Sequence, residues 1–323
     1  MSSQAASVAA GYDGLPAGRA AMRRAAADAF VEDAPHARAL VVGIDGSRDG
    51  LTALAWAVRH AARRGLALCA VHVVDDDRPS SDTPPVGYDD GSGEIEEAAA
   101  ELDRLGFTDA TAEVRHGHPA SVLLDLASAG GSTLVIGRRG LGGFAELVVG
   151  STSQVCASLS TGTLVVVPDE WNPDAAPHGR VVVGVDDSAD CQAALGFAFE
   201  TADLEGAELK AVHAANLPES YPATDLWIDP AEQPWLARSE VLVTEALAGW
   251  REKYPEVTVR TSCTDGHPVQ LLALESGEAD LVVVGGRGRT RYTPLLLGSV
   301  ARGLLHHTKS PVAVIHHESR PAA

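Results

Sequence analysis

Short apolar runs rich in Val recur along the chain, broken by Gly, Asp, Ser and Pro. In the first half they fall near 39–44, 67–74, 112–116, 133–137 and 163–167. They are apolar at almost every position rather than at alternate ones, the pattern of parallel strands buried on both faces. The segments between them follow a helical period. Leu54, Ala55, Val58, Ala61 and Ala62 recur at one-turn spacing, with Ser47 as a start signal and Gly65 as a stop. Val122, Leu123 and Leu126 follow Pro119, which suits a first helical turn. Strand alternating with helix predicts an α/β fold: an open parallel sheet with right-handed crossovers and helices on both faces.

The whole pattern then repeats. Leu40-Val-Val-Gly-Ile-Asp45-Gly-Ser47 matches Val181-Val-Val-Gly-Val-Asp186-Asp-Ser188, and Ala70-Val-His72 matches Ala211-Val-His213. Gly117-His-Pro119 matches Gly266-His-Pro268, Leu134-Val-Ile-Gly137 matches Val282-Val-Val-Gly285, and 164–167 matches 312–315. The pairs run in one order, so one domain has been duplicated, with a small insertion in the second copy. The expected division is a tail over 1–37 with a short helix around 20–30, a domain over 38–168, a linker over 169–178, a second domain over 179–316, and a tail over 317–323. The Pro- and Asp-rich stretch 75–93 and its counterpart 216–234 read as loops after the second strand of each half.

Composition narrows the function. Aromatic residues are only 5% of the chain, so the cores must be filled by Val, Leu and Ala. A formal net charge of −19 disfavours nucleic-acid and membrane-surface partners, and any anionic ligand must be held by local groups against that field. Cys69, Cys156, Cys191 and Cys263 are scattered, which argues against a disulfide framework or a zinc site. The N-terminal region lacks a secretory pattern, and no apolar stretch reaches the roughly 18 residues of a membrane helix, so the expected location is the cytoplasm.

The candidate chemistry follows the fourth strand. Gly137-Arg-Arg-Gly140 and Gly150-Ser151 form a G-x2-G-x9-G-S pattern, and Gly285-Gly-Arg-Gly288 with Gly298-Ser299 repeats it. Glycine lets a backbone approach a ligand closely, and successive loop N–H groups can converge on an anion. Gly150-Ser151 precedes an apolar helical stretch, so its N–H groups sit at a helix N-terminus, where donors and dipole favour phosphate. Ser151 and Ser153 can add hydroxyls, and Arg138 or Arg139 positive charge, unless these arginines are ordinary surface residues. The alternative for the glycines is that they only permit tight turns. His118 and His267 read as turn residues, and the pairs His306-His307 and His316-His317 lack the acidic or cysteine companions of a metal site.

Taken together, these motifs resemble the universal stress protein family, over about 38–168 and 179–316. The resemblance implies a sheet order of 3-2-1-4-5 in each half and pairing through the last strands, here making an intramolecular pseudo-dimer of two tandem five-stranded sheets. In the ATP-binding branch the glycine motif cradles the phosphates and an aspartate ending strand one lies near the ribose. Those roles fall on Gly137, Gly140, Gly150, Ser151, Ser153 and Asp45, and in the second half on Gly285, Gly288, Gly298, Ser299 and Asp186. Backbone contacts to adenine fall near Val73 and Ala214. ATP, with Mg²⁺ or Mn²⁺, is the implied ligand. The second half departs from the pattern: Ala301 replaces Ser153, Pro294 interrupts the loop, and Asp187 replaces Gly46. That makes it the weaker site.

No Gly-Lys pair of a Walker loop, no dinucleotide fingerprint and no Gly-x-Ser-x-Gly elbow is present. Three classes remain: an ATP-dependent regulatory protein with an unknown protein partner, a slow ATPase, and a nucleotide-free scaffold. The intact first motif argues against the scaffold. No general base beyond Asp45 stands out, which argues against efficient turnover.

Overall fold

The computed structural model describes residues 39–75, 91–129, 132–140, 149–215, 234–288 and 297–317. The expected tails apart from residue 317, the helix around 20–30, almost all of the two long loops, and Pro294 with most of each motif's nine-residue insert lie outside the described residues.

The first half runs β1 (Leu40–Ile44), α1 (Arg48–Arg64), β2 (Leu68–Val74), α2 (Ser92–Arg104), β3 (Ala110–His116), α3 (Pro119–Ala129), β4 (Thr133–Gly137), α4 (Ser151–Leu159) and β5 (Thr163–Val167). The second runs β6 (Arg180–Gly184), α5 (Ala189–Glu205), β7 (Glu208–Ala215), α6 (Pro234–Lys253), β8 (Val259–Asp265), α7 (Pro268–Glu275), β9 (Leu281–Gly285), α8 (Ser299–His307) and β10 (Val312–Ile315). Local signals set the ends. Ser47 caps α1 by accepting the Gly50 N–H, and Gly65 closes it at φ 62°, a left-handed conformation that favours glycine.

The strands form one sheet in the order β3-β2-β1-β4-β5-β10-β9-β6-β7-β8. Each half keeps the order 3-2-1-4-5 in parallel. The halves join where β10 pairs antiparallel with β5, Val312 opposite Val166 and Ile315 opposite Thr163. The two expected five-stranded sheets are therefore continuous, and two strand edges disappear into the junction.

Alternate residues of each strand feed two cores. Leu40, Val42, Val165, Val183 and Ala313 pack under α1, α2, α5 and α6. Val41, Leu134, Val166, Val282 and Val314 pack under α3, α4, α7 and α8. Both cores cross the junction. Burial on both faces explains why the strands read as unbroken apolar runs. Each buried Val or Leu contributes about 1.5–3 kcal/mol to such a core. Across the junction Arg64 bonds Glu200 at 3.1 Å and Thr201 at 2.8 Å, tying α1 to α5.

Candidate functional site

β1 and β4 are neighbours, with Gly43 opposite Ile136, so Asp45 and the Gly137–Gly140 loop leave the sheet side by side at their carboxyl ends. The strand order reverses here, which in open α/β sheets opens the ligand crevice. Asp45 Oδ1 accepts the Ser47 N–H at 3.1 Å and the Ser47 hydroxyl at 2.5 Å. The Ser47 oxygen in turn caps α1 through the Gly50 N–H at 3.1 Å. A turn role thus accounts for one carboxylate oxygen. The other faces the glycine loop: a Cβ added at Gly140 would stand 2.1 Å from Asp45 Oδ2.

Each glycine answers to a different neighbour. At Gly137 a Cβ would lie 2.7 Å from the backbone carbon of Asp49, so only glycine lets α1 meet the end of β4. At Gly150 a Cβ would sit 3.5 Å from Arg138 O and Arg139 Cα and 3.7 Å from Gly140 N, between the two ends of the loop. The structure thus brings Asp45, Gly137, Gly140, Gly150 and the exposed Ser151 around one cradle.

Several loop donors are committed. Arg138 N donates to Val167 O at 2.8 Å and Gly150 N to Arg138 O at 2.9 Å. Arg139 N donates to Asp49 Oδ2 at 2.9 Å. The helical ladder of α4 begins with Gln154 N on Gly150 O, so the N–H groups of Ser151, Thr152 and Ser153 have no helical acceptor. At a helix N-terminus such donors favour an anion.

Two expected binding residues are engaged elsewhere. The Ser153 hydroxyl, 4% exposed, donates to Gly137 O at 2.8 Å, joining α4 to the end of β4. Its proton is spent within the protein. Arg138, also 4% exposed, turns its guanidinium away from the crevice to Asp169 and Glu170 of the linker and to Thr308 O of the second half. Burial works against the Asp169 charge, but hydrogen bonding to Glu170 and the Arg138 and Arg139 charges outweigh it and hold its carboxyl below the usual range. Arg139 also ion-pairs with Asp169.

Asp49 escaped the sequence reading. It is buried, holds the Arg139 N–H, and has its pKa raised chiefly by burial, with Asp169 adding to the rise. Its signal was available: Asp190 repeats it, four residues after Asp186 as Asp49 follows Asp45, and accepts the Arg287 N–H at 2.9 Å. The histidines that marked the repeat also act here. His72 Nδ1 donates to Ile44 O at 3.1 Å and His213 Nδ1 to Val185 O at 2.7 Å, fixing the peptide before each strand-end aspartate. Val73 is half-buried at the end of β2, opposite Arg115 in β3, and Ala214 holds the same place opposite Thr264.

The second cradle is shaped differently. Asp186 Oδ1 accepts the Ser188 N–H and hydroxyl. Its other oxygen stands 3.9 Å from a Cβ added at Gly288, well back from the loop. The ends of that loop are closer together: a Cβ at Gly298 would lie 3.1 Å from Gly288 N. Gly285 abuts Asp190 and Ser299 opens α8. Among the described residues no group of three or more His, Cys, Asp or Glu is placed to hold a metal, and no helix is long and apolar enough to cross a membrane.

The model of the universal stress protein family matches residues 36–168 and again 178–316. A universal stress protein of Mycolicibacterium smegmatis is 31% identical over 301 residues, covering 85% of this chain and 96% of its own. One from Mycobacterium tuberculosis is 32% identical over 288 residues with the same coverage. Among solved structures, a universal stress protein from Archaeoglobus fulgidus superposes with a TM-score of 0.62 at 20% identity, over 88% of this chain and 98% of its own, a likeness of fold.

Proposed function

The chain belongs to the universal stress protein family, and from that premise we propose that it is an ATP-binding cytoplasmic member whose nucleotide occupancy regulates a protein partner. The first half is the principal site. Gly137, Gly140 and Gly150 with the first-turn N–H groups of α4 take the phosphates, Ser151 adds a hydroxyl, Asp45 lies at the ribose and the backbone near Val73 at the adenine. The observation that carries this reading is the Gly140–Asp45 approach: a Cβ there would stand 2.1 Å from the carboxylate, so glycine is what lets the loop backbone come up to the acid. Arg138 and Ser153 support the loop rather than contact the ligand. Asp186, Gly285, Gly288, Gly298 and Ser299 form a second, weaker site, weakened by the extra charge of Asp187.

Phosphate enters a protein of net charge −19 with backbone dipoles as its main attraction. Mg²⁺ or Mn²⁺ arriving with the nucleotide offsets that repulsion, and affinity falls without it. Native mass spectrometry of the full chain during ATP titration, with and without each cation, tests the reading. The wild type retains one nucleotide at low ATP and a second only at higher concentration. Gly150→Ala, whose Cβ finds only ordinary contacts in the protein, leaves the melting temperature unchanged and weakens the first event about tenfold or more, about 1.4 kcal/mol. No binding at millimolar ATP, or unchanged affinity in Gly150→Ala, overturns it. Accumulation of ADP in the same samples would favour the slow ATPase instead.

A further inference from the structure

Each loop is joined to the other half's site helix, by residues from different positions of the repeat. Arg138 immediately follows Gly137. Its peptide oxygen holds Gly150, the entry to α4, at 2.9 Å. Its side chain crosses the junction to Thr308 O, the cap of α8, at 3.3 Å, and on the way binds Asp169 and Glu170. A single buried residue therefore touches the first-half loop, the linker, and the far end of the helix that begins the second-half site.

The second half has Gly286 in the place of Arg138, and its peptide oxygen holds Gly298 at 2.8 Å. A side chain at 286 has no room: its Cβ would lie 2.2 Å from His316 Cε1. His316, which stands where the first half has Pro168, fills that space at 6% exposure. Its Nε2 donates to Ala157 O at 3.1 Å, in α4, the helix that begins the first-half site. The link is reciprocal in destination although its chemistry differs. Both site helices have nine residues, about 13 Å of rigid rod, so a shift at one end is carried to the other.

We infer that the two candidate sites of one chain are energetically coupled, the first-half loop acting on α8 through Arg138 and the second-half loop acting on α4 through His316. The ligand side of this inference rests on the reading that the loops take nucleotide phosphate; the mechanical side does not. Coupling between sites is reciprocal and commonly amounts to about fivefold or more in affinity.

Hydrogen exchange measured by mass spectrometry on the full chain separates the two. The first loop is perturbed in two ways: by ATP at the low concentration that fills the first site alone, and by Gly140→Ala, which wedges a methyl against Asp45. Peptides covering 299–308 report the far helix and peptides covering 151–159 the near one. In the wild-type background each perturbation changes exchange across 299–308 about fivefold, a local-opening response. Arg138→Met removes the far response and keeps the near one. Should Arg138→Met fail to fold, Glu170→Gln loosens the guanidinium while keeping the Arg139–Asp169 ion pair, and weakens the far response in the same way. If ATP has no effect anywhere while Gly140→Ala still reaches 299–308, the nucleotide reading fails and the coupling stands. If ATP protects 151–159 but neither perturbation reaches 299–308, or the far response survives loss of Arg138, the coupling is overturned.

Discussion

Gly140 and Gly288 hold the same position in the two motif copies, yet their surroundings differ. At Gly140 a methyl would meet Asp45 Oδ2 at 2.1 Å; at Gly288 the nearest atom would be Asp186 Oδ2 at 3.9 Å. Alanine at 140 must displace the carboxylate and with it the Ser47 hydroxyl and the cap on Gly50. We expect Gly140→Ala to destabilise the fold by about 1–3 kcal/mol, the usual range for overpacking. Gly288→Ala should change it by less than about 0.5 kcal/mol, as at an open surface position. Urea denaturation of the two variants checks the contrast, and equal losses would mean that the two cradles are not differently shaped. The same residue-level view separates binding from support. Ser153 and Arg138 have donors of the right type in the right motif, but those donors are spent on Gly137 and on the linker.

At the scale of elements, α1 and α5 meet across the junction around a buried histidine. His60 is 4% exposed, its ring stacked 4.7 Å from Trp56 and 6.3 Å from Phe197. Burial, with the charges of Arg64 and Arg63, pushes it down to about 3. The unfolded chain takes this proton near 6.5, so between pH 6.5 and about 3 the unfolded state holds more protons than the folded one. Stability is therefore full above pH 6.5 and declines as pH falls toward 3. His60→Phe keeps a stacked ring and removes the titration. Below pH 6 the stability advantage of wild type over the variant should shrink by about 1 kcal/mol per pH unit. Urea midpoints at pH 7, 6, 5 and 4 read this directly, and parallel curves for the two proteins would place the acid sensitivity elsewhere.

For the whole molecule, the junction decides whether the chain is two domains on a string or one body. β5 and β10 pair along Leu164, Val165, Val166, Val312, Ala313 and Val314, all essentially inaccessible. Exposing such an edge invites pairing with another chain. The linker segment over 174–179 is by contrast exposed. Cleavage there, at an inserted protease site, should leave the halves in a one-to-one complex through size-exclusion chromatography. Separation into two soluble halves would show that the linker, not the sheet, holds them together.

Repetition, unbroken apolar runs and cap residues were local facts, and the chain by itself determined from them the α/β alternation, the duplication and the two glycine motifs. Ser47, Gly65 and Pro119 act within a turn of where they stand, and a strand buried on both faces must be apolar throughout. The family likeness added the strand order and the idea that the last strands meet. Tertiary structure alone decided how the motif's polar groups are shared out. Asp49 reaches a loop 90 residues away, Arg138 a cap 170 residues away and His316 a helix 159 residues away. Such partners are set by which surfaces the sheet brings together, and a one-dimensional pattern carries no record of which way a buried arginine turns. That physical fact moved Arg138 from the ligand to the junction, and brought the two halves of a repeated sequence to different solutions of the same packing problem.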